Sequence, residues 1–288
     1  MPFLTVLGHS NIDVQLSVAA MPGGGRSSPV TDRRTVYGGT ACNIARHAAG
    51  LGVPVRLWSR VGSDFPADWR ADLEVDGVDL TFDEGERTPT CYILTAPDGE
   101  QAYMMDQGAM TPPYEVPADA WDGAQWLHVG TGDPASYLPT MQAAKAADLK
   151  IAFDPGQEIH FAYDAKHFET LLNLADVFFC NDVEMEKALG FLRYGDPAQL
   201  LDHVDHVVQT HGEDGATLWG GKKPLPLPAV PAAAVDPTGA GDALRAGWYA
   251  GLHEGGDMAE ALQLGMEVAA VAVTLLGPQP RAITRDDL

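Results

Sequence analysis

Short apolar segments alternate with longer amphipathic segments along most of the chain, and this alternation restricts the possible folds most. A strand, a helix and a further strand form the repeating unit of a parallel β-sheet that carries helices on both faces. The predicted strands are 3–7, 55–58, 126–129, 151–153, 177–180 and 207–210, and the predicted helices are 41–51, 66–75, 137–147, 166–174, 183–189, 240–252 and 258–275. We therefore expect an α/β fold, a three-layer α/β/α sandwich with a mostly parallel central sheet.

Two segments do not follow this alternation. They are 14–37 and 90–105, and in the second a Pro-Asp-Gly turn at 97–99 separates two runs rich in β-forming residues. We expect both to form a small β lid over the carboxyl edge of the main sheet, where ligands of open α/β folds bind. The length of 288 residues suits one domain over 1–288, with this lid as its appendage.

The charge balance excludes several kinds of partner. The chain has 40 Asp plus Glu against 18 Lys plus Arg, a net charge of −22. Such a chain offers no basic face for nucleic acid or for an anionic membrane. It also lacks an apolar run of the ~20 residues that span a bilayer, and it lacks a signal-peptide pattern, so we expect a cytoplasmic protein. The acidic excess further resembles that of salt-adapted (halophilic) proteins.

The stretch 235–247 (VDPTGAGDALRAG) carries the most chemical information. Its glycine-rich turn leads directly into a helix, so the backbone N–H groups of Gly239 to Asp242 form an anion site. A carboxylate beside such a site suits phosphoryl transfer, because it can receive the proton of an incoming hydroxyl. We expect the positive field of the helix N-terminus to lower the pKa of Asp242. An ordinary helix start with a capping Asp remains the alternative.

Several motifs in a fixed order resemble those of the ribokinase family of carbohydrate and nucleoside kinases, also called the PfkB family. They are Gly8–Asp13 (GHSNID), Gly38–Asn43 (GGTACN), Leu51-Gly52 followed by Val61–Asp64, Asn181–Glu184 (NDVE), Thr210–Gly215 (THGEDG) and Gly239–Asp242 (GAGD). They extend from about residue 8 to residue 277. Any one of them is weak evidence, but their common order is strong. The resemblance implies a ribokinase-like fold with a β lid and possible pairing of two lids in a homodimer.

The resemblance also implies roles for individual residues. Asp242 would be the catalytic base, and Gly239, Ala240 and Gly241 would form the anion hole. Acceptor hydroxyls would contact Asp13, Gly39 and Asn43, with Asn11 in the same site. ATP would lie along Asn181, Thr210, Gly212 and Gly215, and Glu184 would hold Mg²⁺ through water. For Asn181 and Glu184, a simple capping box is the alternative. Met266 stands where the family often has an Asn near adenine, and for Arg245 we favour an ion pair with a neighbouring acid.

The acceptor class follows from two further segments. Thr131–Pro134 and Asp154–Glu158 resemble those of archaeal nucleoside kinases, and Gln157 could hold a base edge or a sugar hydroxyl, or lie in solvent. We therefore expect transfer of the γ-phosphate of ATP to the 5′-hydroxyl of a nucleoside. A kinase for ribose, ribose 1-phosphate or a hexose is the nearest alternative, since Arg26, Arg33 and Arg34 are available for a phosphate. A non-catalytic ligand sensor is a third. We expect at least two of Tyr37, Tyr92 and Tyr103 to fill the core of the lid.

Overall fold

The computed structural model describes residues 1–288. Its strands are β1 (Leu4–Leu7), β2 (Asn11–Val18), β3 (Val30–Gly38), β4 (Val55–Gly62), β5 (Asp79–Gly85), β6 (Thr90–Thr95), β7 (Gln101–Asp106), β8 (Trp126–Val129), β9 (Lys150–Phe153), β10 (Val177–Asn181), β11 (His206–Thr210), β12 (Ala216–Trp219) and β13 (Leu225–Leu227). Its α-helices are α1 (Thr40–Gly50), α2 (Ala67–Val75), α3 (Pro134–Ala146), α4 (Ala165–Leu172), α5 (Asp182–Leu192), α6 (Ala240–His253) and α7 (Met258–Ala272). None of these helices has the length and apolarity needed to cross a membrane.

Nine strands form the main sheet, in the order β13-β12-β11-β10-β9-β8-β1-β4-β5. The seven strands from β11 to β5 in this order pair in parallel, and β12 pairs antiparallel with both β11 and β13. Strand β1 lies between β8 and β4, so the chain leaves it toward both sides and a crevice forms at the carboxyl ends of these strands. The predicted α/β fold with a mostly parallel sheet is confirmed.

The two faces of this sheet carry separate apolar cores. One core holds α1, α6 and α7, with Ile44 and Trp248 fully buried, and the other holds α3, α4 and α5, with Tyr137 and Phe168 fully buried. Ile44, Ala48 and Leu51 form one buried stripe along α1, and Gly52 has the left-handed φ of +87° expected of a glycine after a helix. These cores fix α1 and α6 side by side, which brings their first turns together at the crevice.

Some strands of the main sheet were not predicted, and one is much longer than predicted. Strands β5, β12 and β13 were not predicted, and β4 continues four residues beyond the predicted end at 58. Strand β13 contains Pro226, which is tolerated there because the strand lies at the edge of the sheet. Helix α3 begins three residues before the predicted start because Asp133 caps it and accepts a hydrogen bond from the Ser136 N–H at 2.8 Å.

A second sheet of four strands has the order β3-β2-β6-β7. Both segments that did not fit the alternation contribute to it, and β2 begins at Asn11, so that Asp13 belongs to this sheet. The aromatic prediction was wrong. Tyr92 and Tyr103 are exposed, while Tyr37 stacks on the buried Trp69 with ring centroids 4.6 Å apart. A single sheet of four strands cannot enclose large rings unless another layer packs on it, so Tyr92 and Tyr103 stay exposed.

Candidate active site

The turn before α6 contains three backbone N–H groups that have no partner in the chain. Gly239 caps the helix with a left-handed φ of +80°, and an added Cβ would lie 2.9 Å from the Pro278 Cα. The N–H groups of Gly239, Gly241 and Asp242 make no hydrogen bond within the chain. The Ala240 N–H, which we had included in the anion hole, instead donates to the Pro237 carbonyl at 3.2 Å. The turn therefore offers three donors to an anion.

The Asp242 carboxyl lies beside these donors and accepts a hydrogen bond from the Asn43 amide at 2.6 Å. Burial is the main cause that raises the pKa of Asp242 from 3.8 to about 7; Asn43 and Arg245 oppose it, and the charges of Asp154 and Glu184 add smaller contributions in the same direction as burial. The prediction of a lowered pKa was wrong. The field of the helix N-terminus favours the charged carboxylate, but removal of the carboxylate from water dominates here. A carboxyl with a pKa near neutrality is suited to accept a proton at physiological pH.

Asp13 faces the same space from β2. It is buried, and burial together with the charge of Asp242 raises the pKa of Asp13 to about 7. Gly38 lies so close to the Asp13 carboxyl that a side chain at Gly38 would collide with it. The small sheet and α6 thus bring two mutually repelling carboxyls to one site.

Three buried oxygens around this site have no hydrogen-bond partner. They are Ser10 Oγ, Asn11 Oδ1 and Asn43 Oδ1. Buried polar atoms in native proteins are almost always paired, so this cluster indicates a ligand that carries hydroxyl or N–H groups. Gly39, with a φ of +95°, allows the approach, because a Cβ there would lie 2.8 Å from the Asn11 N. The structure therefore brings Asn11, Asp13, Gly39 and Asn43 together with Asp242.

A network of polar side chains that we did not predict lies at the same crevice. His9 Nε2 lies 2.5 Å from Gln107 Oε1, the Gln107 amide donates to Glu158 at 3.0 Å, and His9 Nδ1 lies 2.9 Å from Thr131 Oγ1. Glu158 is buried, whereas its neighbour Gln157, the predicted substrate contact, is exposed and makes no hydrogen bond in the chain. The sequence pointed to the right loop, but nothing in it distinguished the two neighbours, and Gln107 lies in no motif.

Asn181 and Glu184 form a capping box at the start of α5, which the sequence analysis held as the alternative. The Asn181 side chain accepts from the Glu184 N–H and the Glu184 carboxyl accepts from the Asn181 N–H, both at 2.8 Å. Glu184 is buried, and burial, followed by the charge of Asp154, raises its pKa. Its second carboxyl oxygen makes no hydrogen bond and remains available to a water-bound cation.

The donor set fits a magnesium ion that is held mostly by phosphate and water. No group of three or more His, Cys, Asp or Glu side chains is placed to hold a metal by itself. Mg²⁺ in nucleotide sites usually takes one or two protein carboxylates and completes its shell with phosphate oxygens and water. Glu184, with one free oxygen and with Asp154 and Asp242 contributing further negative charge nearby, meets that requirement.

The remaining residues that the sequence predicts to contact the nucleotide lie at and after the carboxyl end of β11. Thr210 pairs in register with Asn181, so the two predicted contacts are neighbours across the sheet. Gly212 has a φ of +59° and Gly215 a φ of +106°, and a side chain at Gly215 would collide with the Leu227 carbonyl. Met266 is buried in the core against α6, which accounts for an apolar residue at that position.

The chain matches the profile of pfkB family carbohydrate kinases over residues 1–285. The chain belongs to the pfkB family. A nucleoside kinase of Methanothermobacter thermautotrophicus is 30% identical over 282 residues, which cover 96% of this chain and 91% of that protein. An ATP-dependent ribose-1-phosphate kinase of Halopiger xanaduensis is 32% identical over 265 residues, which cover 89% of this chain and 86% of that protein.

Solved structures confirm the ribokinase-like fold. The nucleoside kinase of Methanocaldococcus jannaschii, an archaeal member of the ribokinase family, superposes with a TM-score of 0.88 at 29% identity and covers 99% of this chain and 96% of that one. The family match and the nucleoside kinase relatives show that the chain is a phosphotransferase that acts on a hydroxyl group. It is a nucleoside or sugar kinase.

Proposed function

We propose that this pfkB protein is an ATP- and Mg²⁺-dependent kinase that transfers the γ-phosphoryl group to the 5′-hydroxyl of a nucleoside. The observation that carries the proposal is the juxtaposition of Asp242 with three unpartnered N–H groups and with the unpartnered oxygens of Asn11 and Asn43. The nucleoside kinases of two methanogenic archaea among its relatives support the acceptor class.

Each group has a defined part in the transfer. The 5′-hydroxyl oxygen forms a bond to the γ-phosphorus while the bond to the ADP oxygen breaks, and the hydroxyl proton passes to Asp242. The N–H groups of Gly239, Gly241 and Asp242 stabilise the negative charge that develops on the transferred group. Asp13 and Asn43 orient the acceptor, and Mg²⁺, when bound near Glu184, neutralises phosphate charge. The small sheet acts as a lid that excludes water during transfer.

A ribose-1-phosphate kinase is the second candidate, because two observations favour it. One relative of that activity is 32% identical. In addition, Arg26, Arg33 and Arg34 in the lid region are exposed and have no ion-pair partner, so they are free to contact a phosphate on the acceptor. A neutral nucleoside would leave these arginines unused.

An acceptor panel distinguishes the two. ADP release is measured in 2 M KCl with MgATP and with cytidine, adenosine, inosine, ribose or ribose 1-phosphate, and the product is identified by mass and by comparison with authentic 5′-monophosphates. We expect turnover with nucleosides. Turnover with ribose 1-phosphate alone would replace the proposed acceptor, and no turnover with any acceptor would favour a ligand sensor. Asp242→Asn is the inactive control, and Asp119→Asn, an exposed acid without side-chain bonds, is its matched partner.

The exposed face of the lid supports a homodimer. Tyr103 and Met104 are 56% and 54% exposed, and β3 and β7 leave two unpaired edges. Exposed apolar residues beside open strand edges favour association. Light scattering at high salt tests this proposal, with Tyr103→Asp expected to give monomers.

A further inference from the structure

Arg245 lies one helical turn beyond Asp242 and joins two parts of the site. Its guanidinium donates two hydrogen bonds to the Asp154 carboxylate, through Nε and Nη2, and a third, through Nη1, to the Gly241 carbonyl at 3.0 Å. Asp154 follows β9 and leads into the loop that carries Glu158. Arg245 therefore connects this acceptor-side loop with the first turn of α6.

This pair is enclosed on every side. Arg245 and Asp154 are 7% and 5% exposed, the guanidinium lies over the Phe179 ring at 5.1 Å, and His128 Nε2 approaches Asp154 at 3.4 Å. His128 Nδ1 in turn lies 2.9 Å from the Tyr249 hydroxyl. Burying two charges is expensive, and apolar replacements are often at least as stable. Stability alone therefore does not explain why charges stand here.

The contact with Gly241 has a direct consequence for the anion site. The Gly241 carbonyl and the Asp242 N–H belong to one planar peptide unit. A hydrogen bond that fixes the carbonyl therefore fixes the direction of the N–H, which is one of the three unpartnered donors. The same carbonyl accepts the helical hydrogen bond from the Arg245 backbone N–H, so the Arg245 side chain holds this peptide at a second point and ties it to Asp154 outside the helix.

We propose that Arg245, held by Asp154, is a positioning residue that fixes the Gly241-Asp242 peptide so that its N–H points at the transferred phosphoryl group. This inference rests on the proposed phosphoryl transfer at Asp242. Misplacement of one preorganised donor typically lowers kcat by about 10²–10³-fold. The residue does not touch substrate, so KM for the nucleoside is expected to change by less than about threefold.

Three variants separate positioning from folding. Arg245→Met leaves Asp154 buried without a partner and can fail to fold, so the double variant Arg245→Met/Asp154→Asn removes both charges together. Arg245→Lys keeps the positive charge but lacks the planar guanidinium group that bonds Asp154 and Gly241 together. The matched control is Arg56→Met, which breaks an ion pair with Asp79 at the opposite end of β4 and is expected to retain the parent's kcat.

The pH dependence of kcat separates the effect of the Arg245 charge on Asp242 from the effect of positioning on the rate. Asp242 is faced by Asp13 from β2, by Asn43 from α1, by Asp154 after β9, by Glu184 from α5 and by Arg245 from its own helix. Arg245→Met removes the only positive charge in this set, so the acid limb should move to higher pH. The double variant should keep the limb near the parent position while kcat falls, and Arg245→Lys should recover part of kcat.

Hydrogen exchange of the backbone around 239–245 tests the geometry without reference to activity. We expect exchange of the amide of residue 245, which donates the helical hydrogen bond to the Gly241 carbonyl, to be at least about tenfold faster in the double variant than in the parent after correction for intrinsic rates, because the side chain no longer holds the first turn of α6. A folded double variant with unchanged exchange, or with kcat within threefold of the parent, would overturn the positioning role. A parent without turnover on any acceptor would instead overturn the proposed function, while the exchange result would still decide the role of Arg245.

Discussion

Replacing Asp242 with Asn should stabilise the protein while it abolishes phosphoryl transfer. Burial and nearby acids raise the pKa of Asp242 from 3.8 to about 7. The unfolded chain therefore ionises this carboxyl more readily than the folded chain. Stability that comes from the protonated form is complete below pH 3.8 and is lost as the pH rises through about 7. Asn has no charge to bury and still accepts the hydrogen bond from Asn43.

The size of the effect follows from the shift. A difference of about three pKa units, at 1.36 kcal/mol each, corresponds to at most about 4 kcal/mol at pH 8, and to less than about 1 kcal/mol at pH 4. Since part of the Asp242 side chain reaches solvent, the measured gain should be smaller than this limit. Removal of the Asp242 charge also relieves Asp13, whose pKa it raises. Loss of a general base lowers kcat by about 10²–10⁴-fold.

Urea unfolding at constant 2 M KCl measures the difference at pH 5, 6.5 and 8. We expect Asp242→Asn to exceed the parent in unfolding free energy by an amount that grows with pH, and Asp119→Asn to differ from the parent by less than about 0.5 kcal/mol throughout. An Asp242→Asn variant that is less stable than the parent at pH 8, or a difference that does not depend on pH, would refute the reasoning that Asp242 is a destabilised buried acid.

Further predictions concern pH, backbone, metal and salt. The kcat of the parent should fall about tenfold per pH unit below about 7, because the base must be deprotonated, and a flat profile from pH 5 to 8 would exclude Asp242 as the base. Gly239→Ala should lower kcat at least about tenfold, because φ is +80° and Pro278 leaves no room for a Cβ; an active variant would show that the turn tolerates distortion. Glu184→Gln should raise the Mg²⁺ concentration needed for half-maximal rate. The melting temperature should change little, because Gln can still complete the capping box with Asn181. An unchanged Mg²⁺ requirement would show that Glu184 does not hold the metal. The melting temperature should rise with KCl because molar salt screens the net charge of −22, and no rise between 0.1 and 2 M KCl would contradict salt adaptation.

Much of the fold was predictable because its strands are short apolar runs bounded by turn residues. Strand β8 has the predicted bounds, and α6 begins at the predicted residue, since Gly239 marks the turn before it. Edge strands carry a weaker signal, because they are not buried on both faces. Strand β13, with a proline and two exposed residues, has none of the features of a buried strand.

The parts of the site that depend on glycine backbone conformation were predictable from the sequence motifs. Gly39 and Gly239 need positive φ, and the sequence shows both as glycines beside polar residues. The pKa of Asp242 was not predictable, because it depends on burial and on Asp154 and Glu184, which come from other parts of the chain. His9, Gln107 and Glu158 form their network only through tertiary structure, because His9 and Gln107 are 98 residues apart in the chain and Gln107 and Glu158 are 51 residues apart.

The central claim is that Asp242 receives the proton of a nucleoside 5′-hydroxyl while the turn at 239–242 holds the transferred group. A crystal structure of the protein with a nucleoside and ADP tests it most directly. The account predicts a 5′-oxygen within about 3 Å of the Asp242 carboxylate, ribose hydroxyls on Asp13 and Asn43, and the ADP phosphate aimed at the N–H groups of Gly239, Gly241 and Asp242. A nucleoside whose 5′-oxygen lies away from Asp242, or an acceptor site that admits only a sugar phosphate, would contradict it.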